Sequence, residues 1–174
     1  MRFFFKKDFS LPPALLWEYL TNPKYRSIIF GADSQRLEDL KQGRVADGSV
    51  YVCSHGKNIL LQSIVDWHPF EQYTVKSSVP GGGFGLMTTR LTPQKNGTTV
   101  TLLSGTVQGG ASILRGMINL ATRKFFGPQV GEGLNALGEL IDDEITQGKV
   151  TQQPAIQVPA DQIEEALVES FAEI

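Results

Sequence analysis

Histidine and cysteine are the first side chains to consider, because they bind metals and activate nucleophiles. The chain contains only Cys53, His55 and His68. Cys53 and His55 are two residues apart in a predicted strand, so both point to the same face of the sheet. A structural zinc site normally needs four such ligands at close spacings. We therefore expect no metal site.

Nucleophilic catalysis needs a Ser or Cys beside a base that a third group orients. The chain has no G-x-S-x-G motif, and we interpret Cys53 as a small hydrophobic strand residue. The run Gly81–Gly83 lacks the Lys-Ser/Thr of a phosphate-binding loop and opens no helix. We interpret it as a flexible turn, with a lip over a cavity mouth as the functional alternative. The sequence therefore gives no catalytic residue, and we expect no cofactor.

Isolated polar side chains among apolar ones point instead to a binding pocket. Antiparallel strands over a core usually alternate apolar and polar residues, and a largely apolar cavity with a few polar groups is typical of a small-molecule site. The alternative is that each polar residue faces outward or is hydrogen-bonded in the core. The residues concerned are His55 beside Tyr51 and Cys53, Gln62 between Leu60 and Ile64, and Thr89 between Met87 and Leu91.

One long helix is predicted over Ala111–Gln147, and it carries two apolar stripes. The stripes lie about 160° apart around a straight helix, so we expect a kink or short break at Gly127-Pro128 between them. Gly127, Gly131 and Gly138 share one side, and each costs about 0.8–1 kcal/mol relative to alanine. That side serves either close backbone packing or an enclosed space. The stripes are Leu114, Ile118, Ala121 and Phe125, then Val130, Leu134, Leu137, Ile141 and Ile145.

The earlier elements must position this helix. Phe3–Ser10 reads as a strand, and Pro12-Pro13 opens a short helix over Ala14–Leu20. Lys24–Phe30 predicts a second short helix or a turn. From Gln35 to Gln108, about six strands at spacings of 8–12 residues predict an antiparallel meander. The fold class is therefore α+β, with the long helix packed across one face of the sheet.

This order of elements resembles the helix-grip superfamily, which includes START-like lipid-transfer domains, birch-pollen-allergen-like proteins and polyketide cyclase/dehydrase-like proteins. The resemblance covers roughly residues 1–147. It is carried by PPALLWEYLTNP near the start, by VDWHPFEQYTV in the middle and by the long last helix. It implies a curved antiparallel sheet of about seven strands wrapped round that helix, with a cavity for a hydrophobic ligand between them.

The candidate cavity residues combine the strand pattern with this resemblance. In helix-grip proteins, positions like those of Tyr25, Ile29, Met117 and Phe125 lie near the cavity mouth; by helical spacing alone they are core. The full set of candidates is Tyr25, Ile29, Tyr51, Cys53, His55, Gln62, Tyr73, Met87, Thr89, Met117, Phe125, Gly131, Leu134 and Gly138.

Composition and charge limit the possible partners. A length of 174 residues suits one domain with a real core, and the net charge of -2 gives no reason to expect nucleic acid or an acidic membrane surface. No apolar run approaches the roughly 20 residues of a membrane span. The single cysteine fits a reducing compartment, and the first residues do not resemble a signal peptide. We therefore expect a cytoplasmic protein.

The last residues, 148–174, form a separate acidic segment. They carry a net charge of -4, whereas residues 1–147 carry +2. An extended linker is predicted first, followed by an amphipathic helix near 160–174 with Ile163, Leu167, Phe171 and Ile174 on one side. This helix is expected either to dock, on its own sheet, a second copy or another protein, or to stay mobile. Docking would cover Ile59, Leu61 and Val65, which lie on the same face of one strand. That strand has apolar residues on both of its faces, so some cover is expected on each.

Three functions follow. The first is a non-catalytic carrier or sensor of a hydrophobic small molecule such as a lipid, a quinone or a polyketide-like ring system. The second is a cyclase/aromatase-like enzyme, which would need at least two of His55, Tyr51, Tyr73 and Arg90 to converge in one enclosed pocket. The third is a protein-interaction module with a vestigial pocket, which predicts a filled interior.

Overall fold

A computed structural model describes residues 3–79 and 82–150. Within these residues, two short helices follow the first strand, and a meander leads into a long last helix. The elements are β1 Phe3–Phe9, α1 Pro13–Thr21, α2 Pro23–Phe30, β2 Ser34–Glu38, β3 Val50–His55, β4 Asn58–His68, β5 Gln72–Val79, β6 Gly83–Gln94, β7 Gly97–Ser104, β8 Gln108–Gly109, α3 Ser112–Ala121, a π-helical segment Thr122–Phe126, and α4 Gly127–Thr146. The predicted helix near 160–174 lies outside the described residues.

The strands form one open antiparallel sheet in the order β1-β7-β6-β5-β4-β3-β2, with β8 paired to β6. Consecutive strands from β2 to β7 are neighbours in the sheet, and short turns form some of the connections. One such turn lies between His55 and Asn58, and another lies at Lys95-Asn96. Strand β1 pairs with β7 at the far edge. The predicted α+β class, with an antiparallel sheet of about seven strands, is confirmed.

Helices α1 and α2 are short because their ends are fixed by local sequence. Pro13 occupies the start of α1, where a missing backbone donor costs nothing. Asn22 ends α1 and caps α2, and its Oδ1 accepts a hydrogen bond of 3.0 Å from the backbone N–H of Lys24. Pro23 then begins α2. The segment over Lys24–Phe30, predicted as a helix or a turn, is a helix.

Helix α4 packs directly on α2 and on β1. Its buried apolar residues, which continue the second predicted stripe, are Val130, Leu134, Leu137 and Ile141. A Cβ added at Gly133 would lie 2.7 Å from the backbone O of Ile28 and closer still to that of Ile29. The two helices can approach this closely only because residue 133 has no side chain.

Two other glycines of α4 face strand β1. A Cβ at Gly131 would lie 2.9 Å from the Phe5 ring, and a Cβ at Gly138 would lie 2.7 Å from Cε of Lys7. Of the two explanations for the glycine face, close packing therefore accounts for these two positions. The space above them is filled by β1 side chains.

The short break predicted at Gly127-Pro128 does not occur, because the helix continues through the π-helical segment. A π turn is itself a common cause of a kink, so the predicted kink stays a prediction. The backbone N–H of Gly127 donates to the carbonyl of Thr122, five residues earlier. A wider turn of this kind gives the proline ring room next to the preceding turn, where an α-helix would clash. Beyond this segment α4 has a buried apolar stripe, whereas α3 has no buried residue.

The outer face of the sheet carries an exposed apolar group. Ile59, Leu61 and Val65 of β4 are all exposed in the described part of the chain. The core lies on the opposite face, where inward residues of β3 to β7 meet α1, α2 and α4. No helix among residues 3–79 and 82–150 has the length and hydropathy to cross a lipid bilayer.

Candidate ligand-binding cavity

A cavity of about 360 Å³ lies between the sheet and the long helix. Strands β4 to β7 provide one wall, and the end of α3, the π-helical segment and the start of α4 provide the other. Its described lining residues are Leu60, Gln62, Ser77, Ser78, Val79, Gly85, Leu86, Met87, Ser104, Gly105, Val107, Ala121, Thr122, Phe125, Phe126 and Gln129.

The lining is suited to apolar contact with a few hydrogen bonds. The apolar side chains come from all the surrounding elements, while the polar ones are amides and hydroxyls. None of the lining residues that the structure describes is Asp, Glu, Lys, Arg or His. A volume of this size is within the range of small-molecule sites, about 300–1,000 Å³.

A buried arginine lies behind one of the polar lining residues. Arg26 of α2 is fully buried. Its Nη2 donates to Oε1 of Gln62 at 2.6 Å, and its Nη1 donates to the hydroxyl of Tyr73 at 2.9 Å. The guanidinium carbon also lies 4.3 Å from the ring centroid of Tyr51 and 4.4 Å from that of Phe30. Cation–π attraction of this kind strengthens when water is excluded.

No carboxylate among the described residues forms an ion pair with Arg26. Its Nε is buried without a hydrogen-bond partner, as is the hydroxyl of Thr89. A buried charge is costly unless it is paired, so the two hydrogen bonds and the aromatic rings must offset this cost. Gln62, which accepts a hydrogen bond from Arg26, also lines the cavity, so the positive charge of Arg26 lies directly behind the cavity wall.

The tyrosine hydroxyls around Arg26 are hydrogen-bonded to the backbone, and burial favours the neutral forms of Tyr51 and Cys53. The Tyr51 hydroxyl donates to the backbone O of Thr21 at 2.8 Å, and the Tyr73 hydroxyl donates to that of Leu20 at 2.9 Å. Burial raises the pKa of Tyr51 above its ordinary value, although the nearby Arg26 acts in the opposite direction. Burial raises the pKa of the Cys53 thiol in the same way.

The predicted site residues occupy three places. Gln62, Met87 and Phe125 line the cavity. A second group is buried in the core beneath it, and this group consists of Ile29, Tyr51, Cys53, Tyr73, Thr89 and Leu134. The remaining ones lie elsewhere: His55 ends β3 at the hairpin, Tyr25 packs on Tyr19 with ring centroids 4.6 Å apart, Met117 is exposed on α3, and Gly131 and Gly138 face β1.

Arg26 was not predicted as part of the site, although the sequence contains a signal for it. It precedes Ile29 and Phe30 by three and four residues, so it shares their buried helical face. A charged residue at a core position of an amphipathic helix is unusual. The lining residues Ser77, Ser78, Ser104 and Gln129 were also missed, because their small or polar side chains look like ordinary surface positions.

Comparisons with known proteins show which solved structures have a similar fold. No family model and no curated protein matches the chain. Among solved structures, protein MLL2253 from Mesorhizobium loti is similar, with a TM-score of 0.60, 19% identity, and coverage of 82% of this chain and 98% of that one. CalU16 from Micromonospora echinospora gives a TM-score of 0.54 at 13% identity, covering 84% and 82%. DynU16, a protein in the dynemicin biosynthetic locus, gives 0.52 at 15%, covering 77% and 47%.

These similarities concern the fold alone, because all three identities are low. They fit a helix-grip-like arrangement, in which an antiparallel sheet packs against a long last helix.

Proposed function

We propose that this protein binds a hydrophobic small molecule in the cavity between the sheet and the long helix, as a non-catalytic carrier or sensor. The observation that carries the proposal is the cavity of about 360 Å³ with its mainly apolar lining. Residues 1–147 would form the binding domain, and 148–174 an appended segment. A lipid, a quinone or a polyketide-like ring system has the required apolar surface.

The polar end of the cavity suggests how the ligand would be oriented. The amide oxygen of Gln62 is engaged by Arg26, so the amide nitrogen is the group that Gln62 can offer as a donor. An acceptor on the ligand, such as a carbonyl or carboxylate, would suit this position next to a buried positive charge. The remaining ligand surface would contact the apolar wall.

A cyclase-like enzyme is the second candidate, because Tyr51 and Tyr73 do converge on Arg26. Both hydroxyls, however, donate to backbone carbonyls behind the cavity wall. His55 lies at a hairpin, and Arg90 is exposed and donates to Oε1 of Gln72 at 3.0 Å. A carrier needs no proton-transferring side chains in its cavity, whereas a cyclase does, so the described lining suits a carrier better. The open cavity also argues against a vestigial pocket.

A cavity-filling variant tests the proposal. Gly85 of β6 lines the cavity, and a Cβ there would meet no atom within 4 Å. Gly85→Phe should therefore fill the space without straining the backbone. Thr92→Phe, at an exposed position of the same strand, is the matched control.

The measurement is titration of each variant with a neutral apolar fluorophore such as N-phenyl-1-naphthylamine. We expect Gly85→Phe to weaken binding by about tenfold or more, equivalent to about 1.4 kcal/mol, while Thr92→Phe binds like the unchanged protein. Thermal melting checks that both variants remain folded. Equal affinity for Gly85→Phe and the unchanged protein would refute binding in this cavity.

A further inference from the structure

Helix α3 exposes a row of large apolar side chains. Ile113 is 81% exposed, Met117 65% and Leu120 62%. Their spacings of four and three residues place them on one side of the helix. The π-helical segment follows, and a π turn brings residues five apart together. Phe125, which is 67% exposed, therefore lies near Leu120 and extends the row.

The opposite side of α3 is held to the protein. Oδ1 of Asn119 accepts a hydrogen bond of 2.9 Å from the backbone N–H of Val107, just before β8. Leu114 and Ile118 on this side are half-buried. Ile113, Met117 and Leu120 consequently point away from the body of the molecule, while Phe125 is exposed and also lines the cavity. No described residue covers the row.

The segment of the chain that contains this row has no acidic residue. Residues 72–131 contain six Lys or Arg residues and no Asp, Glu or His. This segment includes α3, the π-helical segment, β8 and the strand β6 to which β8 pairs. The whole-chain charge of -2 hides this separation, because the 18 acidic residues all lie elsewhere. Lys124 lies beside the row, with its Nζ 5.6 Å from the Phe125 ring centroid.

We propose that α3 and the π-helical segment dock on the surface of an anionic lipid bilayer. An exposed apolar helix face with nearby cationic side chains is the pattern of a helix that lies in the membrane interface. The apolar row would enter the headgroup–acyl boundary, and the basic residues would meet the lipid phosphates and carboxylates. The charge distribution distinguishes this surface from the exposed apolar group of β4.

The docking surface adjoins the cavity. Ala121, Thr122 and Phe125 line the cavity wall from the same stretch of helix. A docked protein would therefore turn this side of the cavity toward the bilayer. An apolar ligand could then pass from the bilayer into the cavity. The docking itself does not depend on the proposed function, because it rests on the exposed apolar row and on the cationic side chains of this segment.

Vesicle flotation with the full chain tests the proposal. We would compare phosphatidylcholine vesicles with vesicles that also contain about 30% phosphatidylserine. The α3 variant is Met117→Ser with Leu120→Ser. The matched control is Ile59→Ser with Leu61→Ser, which removes two apolar side chains that are 61% and 47% exposed on the outer face of β4.

We expect the unchanged protein and the β4 control to bind the anionic vesicles, and the α3 variant to bind about tenfold less. Binding should also weaken in about 1 M NaCl, where screening limits charge interactions to about 3 Å. Three results would overturn the proposal. They are no binding of the unchanged protein, equal binding of the α3 variant, or a change from dimer to monomer in the α3 variant without vesicle binding, which would assign the surface to a second copy.

Discussion

The close approach of α2 and α4 can be tested at a single position, Gly133. Alanine there would place its Cβ 2.7 Å from the backbone O of Ile28 and closer to that of Ile29. Such distances are too short for any Cβ, and a backbone carbonyl cannot rotate away as the end of a long side chain can. Gly133→Ala must therefore push the two helices apart or distort α2, which carries Arg26.

Two opposing terms set the size of the effect. Alanine is favoured over glycine inside a helix by about 0.8–1 kcal/mol. Overpacking of a tight core costs about 1–3 kcal/mol, and contact with backbone places this site at the upper end. We expect a net loss of about 2 kcal/mol in the free energy of unfolding, which lowers the Tm of a domain of this size by about 4–8 °C.

The assay is urea unfolding followed by circular dichroism, with two other glycines as controls. At Gly116 a Cβ would meet nothing within 4 Å, so Gly116→Ala should stabilise the protein by about 0.5–1 kcal/mol. At Gly138 the nearest atoms belong to the flexible end of Lys7, so Gly138→Ala should change stability little. If Gly133→Ala were as stable as Gly116→Ala, the described packing of α2 on α4 would be wrong.

Three further predictions concern the buried polar groups. Arg26→Met should keep the free energy of unfolding within about 1 kcal/mol, because loss of the guanidinium bonds is offset by removal of a buried charge, whereas Arg26→Ala should lose about 3 kcal/mol through the void; equal losses in urea unfolding would contradict this balance. Burial raises the pKa of Tyr19 and Tyr51 above the ordinary 10.0, so the folded state favours their protonated forms. The stability they contribute is complete below pH 10 and falls as the pH rises further; unfolding free energies that stay constant above this pH would refute it. The Cys53 thiol is buried and its pKa is raised, so it should react with a disulfide reagent only at the rate of unfolding, and rapid reaction in the native state would contradict its burial.

Most of the fold could be predicted because its signals are local. Alternating strands, the short turn at Lys95-Asn96 and prolines at helix starts each act within a few residues. The long helix was predicted as a unit for the same reason. The π turn before Pro128 could not be predicted, because a break in the helix would relieve the same clash.

The site was harder to predict because it depends on contacts between distant segments. Gln62 was singled out as a polar residue among apolar ones, but its partner Arg26 lies 36 positions earlier in the chain. Glycines 131 and 138 showed that side-chain volume was excluded, while the sequence did not show that Phe5 and Lys7 fill the space. The exposure of the apolar side chains of α3 likewise depends on which side of that helix packs against the rest of the protein.

The most direct test of the central claim is native mass spectrometry of the purified protein, followed by solvent extraction and identification of any released molecule. Binding in the cavity predicts an apolar molecule at near-stoichiometric amount, absent from Gly85→Phe and retained by Thr92→Phe. A bare protein whose Tm does not rise with lipids, quinones or aromatic polyketides would contradict the claim.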